Sequence, residues 1–121
     1  MSRHDVIGIG NAVIDVIIPV EEADLARLGV EKGVMQLVDR PRSDALMAAL
    51  DGDGRRMADR ARLVPGGSVA NTLDGLGRLG MAAGFIGRVA DDELGRHYIA
   101  GTEAAGTAFL NPPTDGPGVP T

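Results

Sequence analysis

Two short constellations of polar residues stand in apolar surroundings, and both have the makings of a hydroxyl-binding pocket. The first is Val64-Pro65-Gly66-Gly67-Ser68-Val69-Ala70-Asn71. Gly66 and Gly67 permit backbone angles closed to other residues and let a ligand approach the main chain. Ser68 is expected to cap the helix that follows, whose first N–H groups have no internal partner. Asn71 then stands one turn inside that helix. Pro65 is expected to end the apolar run Arg62-Leu63-Val64. A cup of backbone donors results, with the amide of Asn71 on its rim. Phosphate suits such a cup, yet no Lys or Arg lies between Leu63 and Gly77, and Asp74 adds a negative charge. The hydroxyls of an uncharged polyol fit it better. The competing explanation is a tight strand-to-helix turn whose glycines serve packing alone.

The second constellation follows the apolar run Val6-Ile7-Gly8-Ile9-Gly10, where Asn11 and Asp15 punctuate Ala12, Val13 and Ile14. A carboxylate buried among such residues requires a partner, either protein N–H groups or a ligand hydroxyl. Beside the glycine turn, Asn11 and Asp15 would complete a pocket that reads hydroxyls. An Asx-type turn, with both side chains bonded to their own backbone, is the alternative.

Composition removes other functions. Seventeen acidic residues against 12 basic ones give a formal net charge of -5, and the aromatics are only Phe85, Tyr98 and Phe109. Neither a basic surface nor a stacking platform for nucleic acid is present. The single Lys32 follows no glycine cluster, which excludes a Walker-type loop. Without Cys there are no disulfides and no thiolate metal sites. His4 and His97 are expected on the surface. No apolar stretch approaches a membrane span and no basic leader precedes an apolar core, so a cytoplasmic protein is expected. Gly8-x-Gly10 begins like a dinucleotide fingerprint, but Val13 holds the third glycine position and Pro19 interrupts the required helix. Asp51-Gly52-Asp53-Gly54 begins like a calcium loop, but Arg55, Arg56 and Arg62 occupy ligand and glycine positions. The arginines from Arg55 to Arg62 are expected on a solvated helix face, offset by neighbouring Asp residues.

The elements that must position the polar residues alternate. Strands are predicted over Val6–Ile9, Val13–Val20, Gly33–Val38, Met81–Val89 and Ala108–Leu110 from their Val, Ile and alternating content. Helices are predicted over Glu21–Leu28, with Gly29 as its stop, Ser43–Leu50, with Ser43 as its cap, Ser68–Leu79 and Asp91–Ala100. The segment from Asn111 to Thr121 has neither period and reads as a connection. Alternation of this kind predicts a parallel, doubly wound α/β sheet. At 121 residues the chain has room for one modest core.

These residues, in their order and spacing, resemble the ribokinase-like (PfkB) family of carbohydrate and nucleoside kinases. The matching pieces are Gly8 to Asp15, Pro65 to Thr72, Gly77-Arg78-Leu79-Gly80 and Gly84 to Gly95. Val69 and Leu73 replace residues that are usually small in the family's signature, a departure shared by its adenosine-kinase-like branch; Ala90 stands where Gly is common. The resemblance implies the N-terminal part of a doubly wound sheet with a small β-sheet lid over roughly 13–20, 33–38 and 108–110. It implies that Asn11, Asp15, Gly66, Gly67, Ser68 and Asn71 hold the sugar hydroxyls. Met35 and Leu37 align with lid positions that touch the substrate base, core packing being the alternative for both.

ATP with Mg2+ is the implied phosphoryl donor, and a sugar or nucleoside, most closely adenosine, the implied acceptor. The family's catalytic Gly-Ala-Gly-Asp string, which supplies the base and an anion hole, does not occur in this chain. The chain is therefore expected to be the N-terminal portion of a kinase, without catalytic base or ATP site and inactive alone, with its oligomeric state open. A stand-alone, non-catalytic sugar- or nucleoside-binding module is the principal alternative, and an NAD-dependent oxidoreductase a weaker one.

Overall fold

A computed structural model describes residues 3–51 and 57–116. In chain order its elements are β1 (Val6–Ile9), β2 (Val13–Ile17), α1 (Glu22–Leu28), α2 (Arg40–Asp51), α3 (Met57–Arg60), β3 (Arg62–Gly66), α4 (Ser68–Arg78), β4 (Ala83–Ile86), α5 (Glu93–Ala104) and β5 (Thr107–Phe109). Two compact units result, one comprising residues up to Val16 and from Leu63 onward, the other Ile17–Arg62.

The first unit is built on a parallel sheet in the order β1-β4-β5. Gly8 pairs with Phe85, and Phe85 with Phe109. Paired residues of a parallel ladder share a face, while successive residues alternate. The face of Gly8 and Phe85 receives both helices. A Cβ on Gly8 would lie 2.6 Å from Val69 of α4, and the Phe85 ring stands 5.9 Å from that of Tyr98 on α5. The opposite face carries Ile7 and Ile9, 53% and 75% exposed. Val69 also fills the space beside Gly10, where a Cβ would lie 2.7 Å from it. The bulk at Val69 and Leu73 is thus matched by glycines on and after β1, and helix and strand keep a close fit.

The core joins Ala12, Ile14, Leu73, Ala83, Phe85, Val89 and Tyr98. All three aromatic rings of the chain meet there, at centroid distances of 5.7 to 6.3 Å, in the tilted and edge-on arrangements that ring quadrupoles favour. Asp92 caps α5, its Oδ1 accepting from Gly95 N at 2.7 Å. β2 and β3 form a separate two-stranded sheet.

Several sequence expectations are corrected. Ala108 and Phe109 lie in β5, the neighbour of β4 in the main sheet, and not in a lid. Three residues are enough because Phe109 packs into the aromatic cluster. Gly33–Val38 is not a strand. Its alternation of residue types has no partner ladder, and Met35 and Leu37 stand 85% and 93% exposed. Pro65 does not end β3, which runs on to Gly66. A strand of a two-stranded sheet has a free edge, where the missing N–H costs no ladder bond. From 110 to 116 the chain is irregular, as expected, but anchored: Thr114 N donates to Val89 O at 2.8 Å and Asp91 N to Thr114 O at 3.3 Å.

In the second unit, Gly29 stops α1 with φ 65°, the left-handed conformation that favours glycine. Helix α2 begins three residues before Ser43, and Asp39 takes the cap in its place, its Oδ1 accepting from Arg42 N at 2.9 Å. Pro41 fits that first turn because its nitrogen needs no helical partner. Arg42 donates to Leu28 O at 2.6 Å, and Arg60 to Leu50 O at 3.0 Å and Pro19 O at 3.4 Å. Arg60 is accordingly a partly buried tie between carbonyls and not part of a solvated face. Arg55, Arg56 and the string Gly52-Asp53-Gly54 lie outside the described residues. Among the described residues, no helix is long and apolar enough to cross a membrane.

Candidate functional site

Four of the six hydroxyl-binding candidates meet where β1, β2 and β3 deliver their ends to the start of α4. Gly10 N donates to Ile86 O at 3.1 Å, which prolongs the β1 ladder to the residue before Asn11. The Asn11 carbonyl lies against Gly67, so close that a Cβ there would stand 2.5 Å from its oxygen. Asp15, on β2, sets its carboxylate against Gly66, at the end of β3, where a Cβ would stand 2.7 Å from Oδ2. Both glycines are thus required by close approach, and Gly67 also by its φ of 101°.

The side chain of Asp15 is exposed. The expectation of a buried carboxylate in need of a partner is overturned, because β2 turns that residue outward between the inward Ile14 and Val16. An exposed carboxylate is free to accept from a ligand.

Ser68 is the first residue of α4 and not its cap. The cap is Gly67, with no side-chain hydrogen bond, and Asn71 N donates to Gly67 O at 2.9 Å. The Ser68 carbonyl accepts from Thr72 Oγ1 at 2.9 Å. No side chain caps the helix start, and the first N–H groups of α4 have no intrahelical partner. Asn71 lies one turn in, exposed, beside Val64, Pro65 and Asp74. Met35 and Leu37 belong to the second unit, on its extended segment.

Sequence reasoning missed Tyr98. Its hydroxyl donates to the carbonyl of the buried Gly66 at 2.9 Å. Two further contacts from α5 brace β3. The ring Nε2 of His97 lies 3.1 Å from Leu63 O, and Gly101 admits Pro65, which a Cβ would meet at 2.6 Å. The chain's single tyrosine, one turn into a helix that opens on acids, was the available signal. Asn111 was also missed. Its side-chain amide pairs with both backbone groups of Gly87, at 3.0 and 2.9 Å.

Burial raises the Tyr98 phenol above its ordinary pKa of 10.0. The stabilisation tied to the neutral phenol is complete below that ordinary value and is lost as pH rises through the higher folded-state value. Tyr98→Phe leaves a buried carbonyl unpaired, and the expected loss is about 1–2 kcal/mol in a urea titration near neutral pH. The same variant should lack the wild type's tyrosine-linked decline in stability above pH 10.0.

The arrangement offers one carboxylate acceptor and the uncapped N–H donors of a helix start, a set that two adjacent hydroxyls satisfy in both directions. It does not fit a triphosphate with magnesium, since no Lys or Arg lies between Leu63 and Gly77. Among the described residues, no three His, Asp or Glu side chains stand close enough to share a metal ion.

Comparisons with known proteins show which ones the chain is similar to. No family model matches the chain. Over 34 residues it is 62% identical to 5-dehydro-2-deoxygluconokinase of Geobacillus kaustophilus, 28% of this chain and 10% of that protein. The structure of a probable sugar kinase from Rhizobium etli CFN 42 superposes with a TM-score of 0.69 at 32% identity, over 94% of this chain and 32% of the other. Adenosine kinase from Sinorhizobium meliloti gives 0.67 at 33% identity, over 95% of this chain and 33% of its own. The chain therefore spans about a third of the length of these solved kinases. By fold and by sequence the chain is a relative of the ribokinase-like sugar and adenosine kinases.

Proposed function

We propose that this chain supplies the acceptor-binding part of an ATP-dependent kinase that phosphorylates a hydroxyl of a sugar or nucleoside. The observation that carries the proposal is the carboxylate of Asp15 set against Gly66 beside the uncovered start of α4. One acceptor hydroxyl donates to Asp15, and its neighbour accepts from the N–H groups of Ser68 and the residue after it. Asn11, Gly67 and Asn71 complete the rim. Such a grip orients a reacting hydroxyl, and phosphoryl transfer depends chiefly on positioning and charge stabilisation.

Neither a general base nor a triphosphate site is assigned to the described residues, and both are attributed, through the resemblance, to the Gly-Ala-Gly-Asp half of the family. The lid role of Met35 and Leu37 rests on the same resemblance. Adenosine is the favoured acceptor through the branch resemblance, and simple sugars are the next class to test.

Phosphoryl transfer from MgATP to adenosine, ribose, fructose and 5-dehydro-2-deoxygluconate, measured on the intact product of the gene that encodes this chain, tests the activity. Loss of one charged hydrogen bond in Asp15→Ala is expected to weaken acceptor affinity about 10- to 100-fold. An unchanged acceptor KM in that variant, or no phosphorylation of any of the four acceptors by the intact product, overturns the proposal.

A further inference from the structure

The carboxyl end of β4 is held from both sides, and one of its supports is a side chain. β4 and the chain after it keep a single register with β5 as far as Thr114, since Phe85 pairs with Phe109 and Ala90 with Thr114 at the same offset. On that register Leu110 N donates to Phe85 O at 2.9 Å and Thr114 N to Val89 O at 2.8 Å. The donors of one strand in a parallel ladder are spaced evenly, every second residue. The donor between these two therefore belongs to residue 112, and its acceptor is Gly87 O. Residue 112 is proline, which has no N–H. Asn111 supplies the missing bond from its side chain, Nδ2 donating to Gly87 O at 2.9 Å while Oδ1 accepts from Gly87 N at 3.0 Å. An amide donates and accepts at once, as the peptide group it replaces would.

Gly87 is buried, and its other side meets the end of β1. A Cβ on Gly87 would stand 2.9 Å from Gly10 O, and Gly10 N donates to Ile86 O at 3.1 Å. The next carbonyl along, that of Asn11, is the one pressed against Gly67. The path from Asn111 to the glycine turn thus runs through Gly87, Gly10, Asn11 and Gly67. Three of those four residues are glycines, so backbone rests on backbone. No rotamer is available there to absorb a displacement, and close packing passes it on.

We propose that Asn111 is a positioning residue for the acceptor site, which sets the gap between Asn11 and Gly67 by holding both backbone groups of Gly87. The proposal rests on the acceptor-binding reading of that site.

The test measures acceptor affinity by calorimetry on the intact gene product, with adenosine, ribose, fructose and 5-dehydro-2-deoxygluconate as probes. Asn111→Ala should weaken the affinity for whichever probe binds by about tenfold or more. The double variant Asn111→Ala with Pro112→Ala restores an N–H where the ladder lacks one, and it should recover part of that loss. A residue that served stability alone would shift the melt and leave the affinity of the folded protein unchanged. Asn111→Asp keeps the bond from Gly87 N but has no donor for Gly87 O, and it makes the same comparison should Asn111→Ala not fold. Wild-type affinity in the folded single variant overturns the proposal, as does a loss that the double variant does not reduce. A wild type that binds none of the four probes overturns the acceptor reading itself, and this proposal with it.

Discussion

Gly67→Ala is expected to destabilise the first unit by about 3 kcal/mol and to abolish acceptor binding, because two independent penalties fall on one residue. Its φ of 101° with ψ of 141° lies where only glycine is at ease. The added Cβ would also meet the Asn11 carbonyl oxygen at 2.5 Å. That oxygen belongs to the backbone that connects β1 to β2, so relief requires the two lips of the site to part. Urea denaturation reads the first effect and calorimetry with adenosine or fructose the second. Gly75→Ala is the control. A Cβ at Gly75 meets nothing within 4 Å, and alanine in that helix should raise stability by up to about 1 kcal/mol. If both alanines behave alike, the close approach at Gly67 is not what holds the site.

Phe85→Ala is the second large effect. Phe85 is fully buried, with rings 5.9 Å and 5.7 Å away in Tyr98 and Phe109. Truncation of such a residue typically costs about 3–5 kcal/mol, a large share of the stability of a small domain. Its consequence goes beyond the core, since the ring it removes supports Tyr98, whose hydroxyl holds Gly66. A thermal melt should show a lower, less cooperative transition, and acceptor affinity should fall even at temperatures where the variant remains folded. A loss below about 1 kcal/mol would contradict the packing described here.

The features legible in the sequence were those fixed by local chemistry. Glycines at Gly66 and Gly67, an acceptor at Asp15 and a helix start after the turn mark out from sequence alone the corner that we propose reads hydroxyls. Strand–helix alternation was likewise enough for a parallel α/β sheet. What could not be read was set by partners distant in the chain. Gly33–Val38 has the residues of a strand but no ladder, and Ala108 joins β4 and not a lid because Phe109 finds Phe85. Asp15 was expected inside, yet the alternation of β2 gives the interior to Ile14 and Val16. Tyr98 escaped notice because a hydrogen bond across 32 residues leaves no trace in local pattern. Arg60 misled for a similar reason, since it seeks carbonyls at Pro19 and Leu50 that only the fold brings near.

The hydroxyl that braces Gly66 belongs to the chain's single tyrosine, and the chain has no tryptophan. Its near-ultraviolet emission therefore arises from one phenol, packed against the turn that would meet a ligand. Any molecule that tightens or displaces the turn alters the surroundings of that one fluorophore. The protein carries its own optical probe of its candidate site, and a titration followed in the cuvette needs neither a dye nor an engineered label.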